Sequence, residues 1–177
     1  MNRFGKHLAV CFGWLLLSEI LCLILGVSIA ILRNPVIVRG AGILFGAAAH
    51  ILLIGNAAQK TADEDAAFYR TSGTRTKTVK PLLIAFCSML PACVTYLLLR
   101  LNPESTLMLN LFPLLNAPFI QIHRLLIGGA EPFSAVAPLR GWLMALPPLL
   151  TAAAWFFGYE LRYLRSCAAF DAKRNRT

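Results

Sequence analysis

Hydrophobic residues in this chain form long runs, instead of the narrow stripes typical of soluble helices. Three runs reach the about 20 residues that a helix needs to cross the apolar core of a bilayer: 8–32, 40–58 and 81–100. A fourth run, 141–161, contains Pro147 and Pro148 near its start, so we expect it to span with a kink there. Pro91 predicts a kink in the third run. The pattern predicts an all-α membrane bundle with four spans.

The stretch 107–126 is apolar but interrupted by polar residues and by two prolines. Pro113 and Pro118 each remove a backbone N–H and bias the preceding residue away from helical geometry. Three interpretations are open: a re-entrant hairpin or broken helix shielded by the spans, a helix at the membrane interface, or a fifth span. Gly128 and Gly129 provide a turn after the stretch.

The distribution of Lys and Arg favours four crossings over five. With four spans and the N-terminus inside, twelve of the 17 basic residues lie on the inner side and five outside. With five spans the counts become nine and eight, which is no bias. Since basic residues favour the cytoplasmic side, we expect both termini in the cytoplasm. The five outer residues are Arg33, Arg39, Arg100, Arg124 and Arg140.

Composition agrees with a membrane protein. Of the 177 residues, 58% are hydrophobic and only 14% are charged, too few charges to cover a soluble domain of this size. The net charge of +9 comes from short basic runs beside apolar segments, so no basic face for nucleic acid is expected. We expect one integral membrane domain over 1–177, located in the plasma membrane.

Two polar regions are predicted on the cytoplasmic side, a loop over 59–80 and a basic tail over 162–177. Thr61 and Glu64 have the spacing of a capping box and Gly73 is a stop signal, which predicts a short helix over 62–71. Both regions are basic enough to attract anionic lipid. The loop is either a connector on the membrane surface or a docking helix for a partner subunit.

Two ionisable residues fall near the middle of predicted spans, Glu19 in the first and His50 in the second. The connection over 33–39 is short, so these spans are antiparallel neighbours, and we expect a hydrogen bond or ion pair between Glu19 and His50. Intramembrane ionisable groups are costly and often functional. The pair would serve as a proton or cation relay, as an anchor for a solute, or as a polar clamp between helices.

Small residues recur at four-residue intervals on the same two spans and predict a close helix crossing. They are Ser18, Cys22 and Gly26 on the first span and Gly42 and Gly46 on the second.

The interrupted stretch carries a polar cluster that is a second candidate site. Its members are Asn110, Asn116, Gln121 and His123. Pockets in membrane proteins often form where broken helices free backbone groups, but the same side chains would also satisfy those groups without binding anything.

Motifs for catalysis or metal binding are lacking. The five cysteines include no C-x-x-C pair, and the chain has no nucleophile elbow, zinc-protease or phosphate-loop motif. We therefore predict a protein that is not an enzyme, with no catalytic residue, no cofactor and no metal.

Four segments in order resemble a loose group of small multi-span membrane proteins of Gram-positive bacteria, for which no activity is known. They are NAAQKTADEDAAFYRT, VKPLLIAFCSMLPACVTYLLL, LFPLLNAPF and WFFGYELRY, within residues 55 to 165. The resemblance implies a membrane bundle and assigns no functional residue.

Two functions fit these features. The first is a small non-catalytic integral membrane subunit or assembly factor, which binds other membrane proteins or further copies of itself. The second is a solute transporter or channel-like component with a polar midplane site formed by Glu19, His50 and the segment 110–124.

Overall fold

The computed structural model describes residues 3–31, 34–128 and 132–175. These residues form α-helices and two short 3₁₀ turns, and no β-strand occurs among them. The helices are α1 Arg3–Ala30, α2 Pro35–Ser72, α3 Val79–Leu101, α4 Thr106–Leu114, α5 Ile120–Ile127, α6 Pro138–Leu143 and α7 Pro147–Arg174. The predicted all-α class is confirmed.

Four helical segments are long and apolar enough to cross a membrane: α1, α2, α3 and α6 together with α7. Their outer faces carry large exposed apolar side chains, such as Leu16, Val27 and Leu97, where lipid would lie. The chain is a membrane protein with four spans. The described chain has no fifth helix of that length, since α4 and α5 are about 14 and 12 Å long and the apolar core is about 30 Å thick.

The centre of the bundle is the pair α2 and α7, with α1 packed on α2 and α3 on α7. Helix α7 buries one residue per turn along a single stripe that includes Trp155, Tyr159 and Tyr163. This stripe packs on small residues of α2, among them Ala58 and Ala62. Large side chains on one helix and small ones on the other let the two axes approach closely.

The prediction of a loop over 59–80 with a separate helix over 62–71 was wrong. Helix α2 runs without a break to Ser72 and is 38 residues long. The Thr61 hydroxyl donates to the carbonyl of Ala57 in its own helix (2.9 Å), so it does not cap a new one. Gly73 ends the helix as predicted, with a φ of 69°, and the connection to α3 spans only 73–78.

The fourth span also differs from its prediction. Pro147 and Pro148 lie in the first turn of α7, where a missing N–H costs no helical hydrogen bond, so they begin a helix and do not kink one. Helix α7 then continues to Arg174, which makes most of the predicted tail helical. Pro91 lies inside α3, which continues through it.

The first and last described residues, Arg3 and Asn175, lie at the same end of the bundle. We call the end that contains Arg3, Gly73 and Arg174 the tail end, and the end that contains Asn34 and Asn102 the hairpin end. Ion pairs at the tail end join the first turns of α1 to the C-terminal part of α2, and the 73–78 connection to the C-terminal part of α7. The sequence predictions also used residues outside the described ranges, among them Arg33, Gly129 and Arg176.

Helices α4 and α5 fold back on each other and form a hairpin. The rings of Phe112 and His123 are 4.6 Å apart between centroids. The turn over 115–119 lies beside Thr95, six residues or about 9 Å before the end of α3. It also contacts Glu19, eleven residues or about 17 Å from the end of α1. The turn therefore reaches about halfway through a 30 Å core, which is re-entrant geometry.

Candidate functional site

A cavity of about 210 Å³ lies where the hairpin turn meets the spans. Its polar lining comes from all four spans and the turn: Glu19, His50, Ser88, Asn116 and Thr151. Its remaining walls are apolar: Phe12, Leu15, Leu16, Pro91, Ala92, Leu115, Phe119 and Pro148. The polar side chains of the cavity are thus surrounded mostly by apolar side chains.

Glu19 holds the hairpin turn in place. Its Oε2 atom accepts a hydrogen bond from the backbone N–H of Ala117 (2.8 Å). Ala117 begins the 3₁₀ turn that leads into α5, so the carboxylate lies at a helix N-terminus, where negative charge is favoured. The second oxygen, Oε1, makes no hydrogen bond to the described part of the chain.

His50 joins three spans. Its side chain is 1% exposed, with Nδ1 2.7 Å from the hydroxyl of Ser18 in α1 and Nε2 2.8 Å from that of Thr151 in α7. Both ring nitrogens are therefore satisfied, as a buried neutral imidazole requires. The edge of the ring also packs on Phe119 of the hairpin turn, with 5.3 Å between centroids.

The predicted direct bond between Glu19 and His50 does not form. Consecutive residues of an α-helix point about 100° apart, so Ser18 faces α2 while its neighbour Glu19 faces the hairpin. Sequence spacing placed both residues at the right depth but assigned the wrong partner to each. They nonetheless line the same cavity.

Asn116 ties the hairpin turn to α3. It is 2% exposed, and its Nδ2 donates to the carbonyl of Phe112 (2.8 Å) and to the hydroxyl of Thr95 (3.2 Å). The amide thus satisfies a carbonyl at the end of α4, close to where Pro113 disturbs the helical bonding. Its Oδ1 is left as an acceptor without a partner among the described residues.

The other three members of the predicted polar cluster do not share this site. Asn110 is exposed on α4, Gln121 packs against α2 at Gly42, and His123 is fully buried against Phe112. The fold-back at 115–119 turns α4 and α5 to different neighbours and separates the cluster. Only Asn116 of the four lines the cavity.

The small residues have divided roles. The thiol of Cys22 donates to the carbonyl of Gly46 (3.5 Å), so α1 and α2 meet there. Gly46 also faces the hairpin, since an added β-carbon would lie 3.1 Å from the carbonyl oxygen of Pro118. A β-carbon at Gly26 would meet nothing within 4 Å. The predicted packing role of Gly26 is wrong, because the hairpin lies between α1 and α2 toward that end.

A second cluster of polar residues lies at the tail end, around the fully buried Asp65 of α2. Its Oδ2 accepts from Lys80 of α3 (2.6 Å) and from the hydroxyl of Tyr159 in α7 (2.5 Å). Arg3 and the buried His7 of α1 approach the same carboxylate at 3.8 and 3.7 Å. We call these five residues the Asp65 network; they join all four spans.

Sequence reasoning missed Ser88, Thr151 and the Asp65 network. For Asp65 and Thr151 the sequence contains a signal, which is their position on a four-residue repeat of buried residues. Asp65 follows Thr61 by four residues and precedes Tyr69 by four, on one buried face of α2, while Thr151 belongs to the four-residue stripe of Trp155 and Tyr159. A polar residue on a buried stripe needs a partner, and that requirement predicts contacts without naming them.

An apolar layer separates the cavity from the Asp65 network. Cys11, Ile54, Ile84 and Trp155 are each 0% exposed and belong to one core cluster. In the described ranges this layer closes the cavity toward the tail end. Those ranges also contain no group of three His, Cys, Asp or Glu residues arranged to hold a metal ion.

No family model, curated protein or solved structure matches the chain.

Proposed function

We propose that this protein is a non-catalytic integral membrane subunit that binds a small solute near the middle of the plasma membrane. The observation that carries the proposal is the cavity at the hairpin turn, where five polar side chains converge within the apolar core. Broken helices at membrane depth are typical of substrate sites, because their backbone groups are tolerated only beside protein or a cavity.

Polar groups without partners favour binding over simple packing. A polar clamp between helices needs no polar atom beyond those that bond to one another. The hydrogen bonds of His50 to Ser18 and Thr151 form such a clamp. Glu19 and Asn116 go beyond that, because each keeps one oxygen without a hydrogen bond from the described chain. Protein interiors are close-packed, so an unfilled space next to such atoms favours an occupant.

The closed layer below the cavity favours a subunit over a complete carrier. Ile54 and Trp155 seal the cavity from the tail end, and Gly55 and Gly158 bring α2 and α7 into backbone contact there. To open a route between these helices would break that contact. Transfer of the solute would therefore require a further subunit or a second copy of this chain.

The charge distribution supports an orientation with the tail end in the cytoplasm, as the twelve-to-five count predicts. Basic side chains at the tail end, including Arg70 and Lys173, border a surface groove beside Phe170. Such residues each gain about 1 kcal/mol near anionic lipid. We infer that this end rests on the anionic inner leaflet and presents the surface for partner subunits.

Native mass spectrometry from mild detergent tests the proposal with a matched pair of variants. Ala92→Leu fills the cavity, because Ala92 lines it, while Val94→Leu adds bulk on the lipid-facing side of the same helix. We expect a bound small solute on the wild type and on Val94→Leu, and loss of that mass from Ala92→Leu. Equal solute content in all three proteins, or none in any, would refute binding at this cavity.

A further inference from the structure

From the chemistry of the cavity we infer its ligand class: a small protonated primary amine with an apolar body. The inference rests on the proposed function and adds to it the chemical character of the solute. It is carried by three features of the described lining, namely its charge, its acceptors and its apolar walls.

The lining carries one carboxylate and no Lys or Arg. Glu19 makes no ion pair with any described residue, and its carboxylate accepts a hydrogen bond from the uncharged N–H of Ala117. His50 does not pair with Glu19 either, since its two ring nitrogens are bonded to the hydroxyls of Ser18 and Thr151. A carboxylate at membrane depth without a counter-charge is costly, so a bound cation is the natural complement.

The polar atoms of the lining that make no hydrogen bond within the described chain are acceptors. They are Oε1 of Glu19 and Oδ1 of Asn116, joined by the hydroxyl oxygen of Ser88, whose proton is used by the carbonyl of Ala85 (2.6 Å). A primary ammonium group carries three N–H donors and no acceptor. The three acceptors of the cavity therefore match that group in number and in polarity.

The lining and the size of the cavity argue against a calcium ion and against a large solute. Calcium takes six to eight oxygen ligands, usually with several carboxylates, whereas this lining offers one carboxylate among mostly apolar side chains. A volume of about 210 Å³ is below the about 300–1,000 Å³ of sites for drug-sized molecules. The rings of Phe12 and Phe119 provide apolar and cation-binding surface for a short organic body.

The ligand enters from the bilayer. Three lining residues are also exposed on the outer surface of the bundle: Phe12 is 37%, Leu16 64% and Leu115 55% exposed. The cavity therefore opens sideways, between α1 and the hairpin, toward the lipid. An amine with an apolar body partitions into a membrane and reaches such an opening.

Hexylamine and hexanol provide a matched pair of probes, since they share a chain and differ in the charged group. Binding to the full-length protein in lipid nanodiscs is measured by calorimetry and by the shift of the thermal midpoint. We expect saturable binding of hexylamine, with hexanol at least about tenfold weaker, as for hydrogen bonds to a charged group. Equal affinity for the two compounds would overturn the assignment.

The decisive variant is Glu19→Gln. A glutamine retains an oxygen that accepts the N–H of Ala117, so the hairpin turn keeps its bond while the charge is lost. We expect hexylamine to bind at least about tenfold more weakly and hexanol to be unaffected. Unchanged amine affinity in a folded Glu19→Gln protein would overturn the inference.

A second variant tests the same inference if Glu19→Gln does not fold. Ser88→Ala removes one acceptor without breaking a contact between helices, because Ser88 bonds only to its own helix. It should weaken hexylamine several-fold and leave hexanol unchanged. Hexylamine that binds no more tightly than hexanol, is indifferent to Glu19→Gln and is displaced by Ala92→Leu would reject the amine and retain the solute site. Binding of both compounds that ignores Ala92→Leu would reject both proposals.

Discussion

Gly158 of α7 and Gly55 of α2 touch through their backbones: a β-carbon added at Gly158 would lie 2.9 Å from the Gly55 carbonyl oxygen and 3.1 Å from its Cα. The contact lies one turn beyond the fully buried Trp155, within the layer that closes the cavity. Because backbone cannot rotate away as a side chain can, glycine at 158 permits the spacing of the two central spans.

We expect Gly158→Ala to destabilise the bundle by about 1–3 kcal/mol, the usual cost of overpacking. The control is Gly13→Ala, since a β-carbon at Gly13 meets nothing within 4 Å and alanine favours a helix by about 0.5–1 kcal/mol. The measurement is the thermal midpoint of each purified variant in detergent, which should fall for Gly158→Ala and hold or rise for Gly13→Ala. Equal midpoints would argue against the close crossing.

Much of the fold was predictable because lipid constrains a chain more simply than water does. Runs of apolar residues and the positions of Lys and Arg were enough for the class and the number of spans. The hairpin was one of three interpretations, and the choice between them depended on contacts such as Glu19 with Ala117, which are 98 residues apart in sequence. Local patterns carry no information about such pairs.

The candidate site was predicted in part for the same reason. Depth in the membrane follows from position in a span, so Glu19 and His50 were placed near the cavity. Direction around the helix was not resolved, and Ser18, one residue away, took the predicted role of Glu19 as partner of His50. Thr61 was misread because a capping motif and a residue inside a long helix share the same local sequence.

The Asp65 network should contribute strongly to stability. Asp65→Asn leaves Lys80 without its buried anion, and loss of one partner of a buried pair costs about 3–5 kcal/mol. Its matched control is Asp63→Asn, two residues earlier in α2. The Asp63 side chain is 43% exposed, and that of its partner Arg162 is 51% exposed. An exposed pair of this kind contributes little to stability, because water screens both charges.

Thermal unfolding of the two asparagine variants in the same detergent checks this difference. Lys80→Met should resemble Asp65→Asn, because it removes the other half of the same pair. If Asp63→Asn lowers the midpoint as much as Asp65→Asn, burial is not what makes the network important.

The bonds of His50 predict which residues couple energetically. In a double-mutant cycle, His50→Phe and Thr151→Val should show a coupling of about 0.6 kcal/mol and at most about 1.7 kcal/mol, the average and the maximum for hydrogen bonds between membrane helices. His50→Phe and Glu19→Gln should couple more weakly than that pair, since Glu19 and His50 line one cavity but share no hydrogen bond. Unfolding free energies of the single and double variants provide both numbers. Coupling confined to the Glu19 cycle would restore the direct pair.

The last prediction concerns the side of the membrane on which each end of the bundle lies. Single cysteines at Glu104, before α4, and at Ser134, after α5, are placed in a background without the native thiols; both positions are exposed. Because α4 and α5 fold back on each other, both sites should react with a membrane-impermeant reagent added to intact cells. A cysteine at Gly73, at the tail end, should react only after the cells are permeabilised. The Gly73 site is the control for leakage.

Two outcomes separate the hairpin from the orientation. Reaction of positions 104 and 134 from opposite sides would mean that 106–127 crosses the membrane, since no other described segment lies between α3 and the second site. Reaction of both only after permeabilisation, with Gly73 open to the outside, would keep the hairpin and reverse the bundle. The basic residues of the tail end would then face outward, against the charge bias that orients other membrane proteins. The hairpin depends on contacts inside the bundle and the orientation on charge outside it, so each can fail alone.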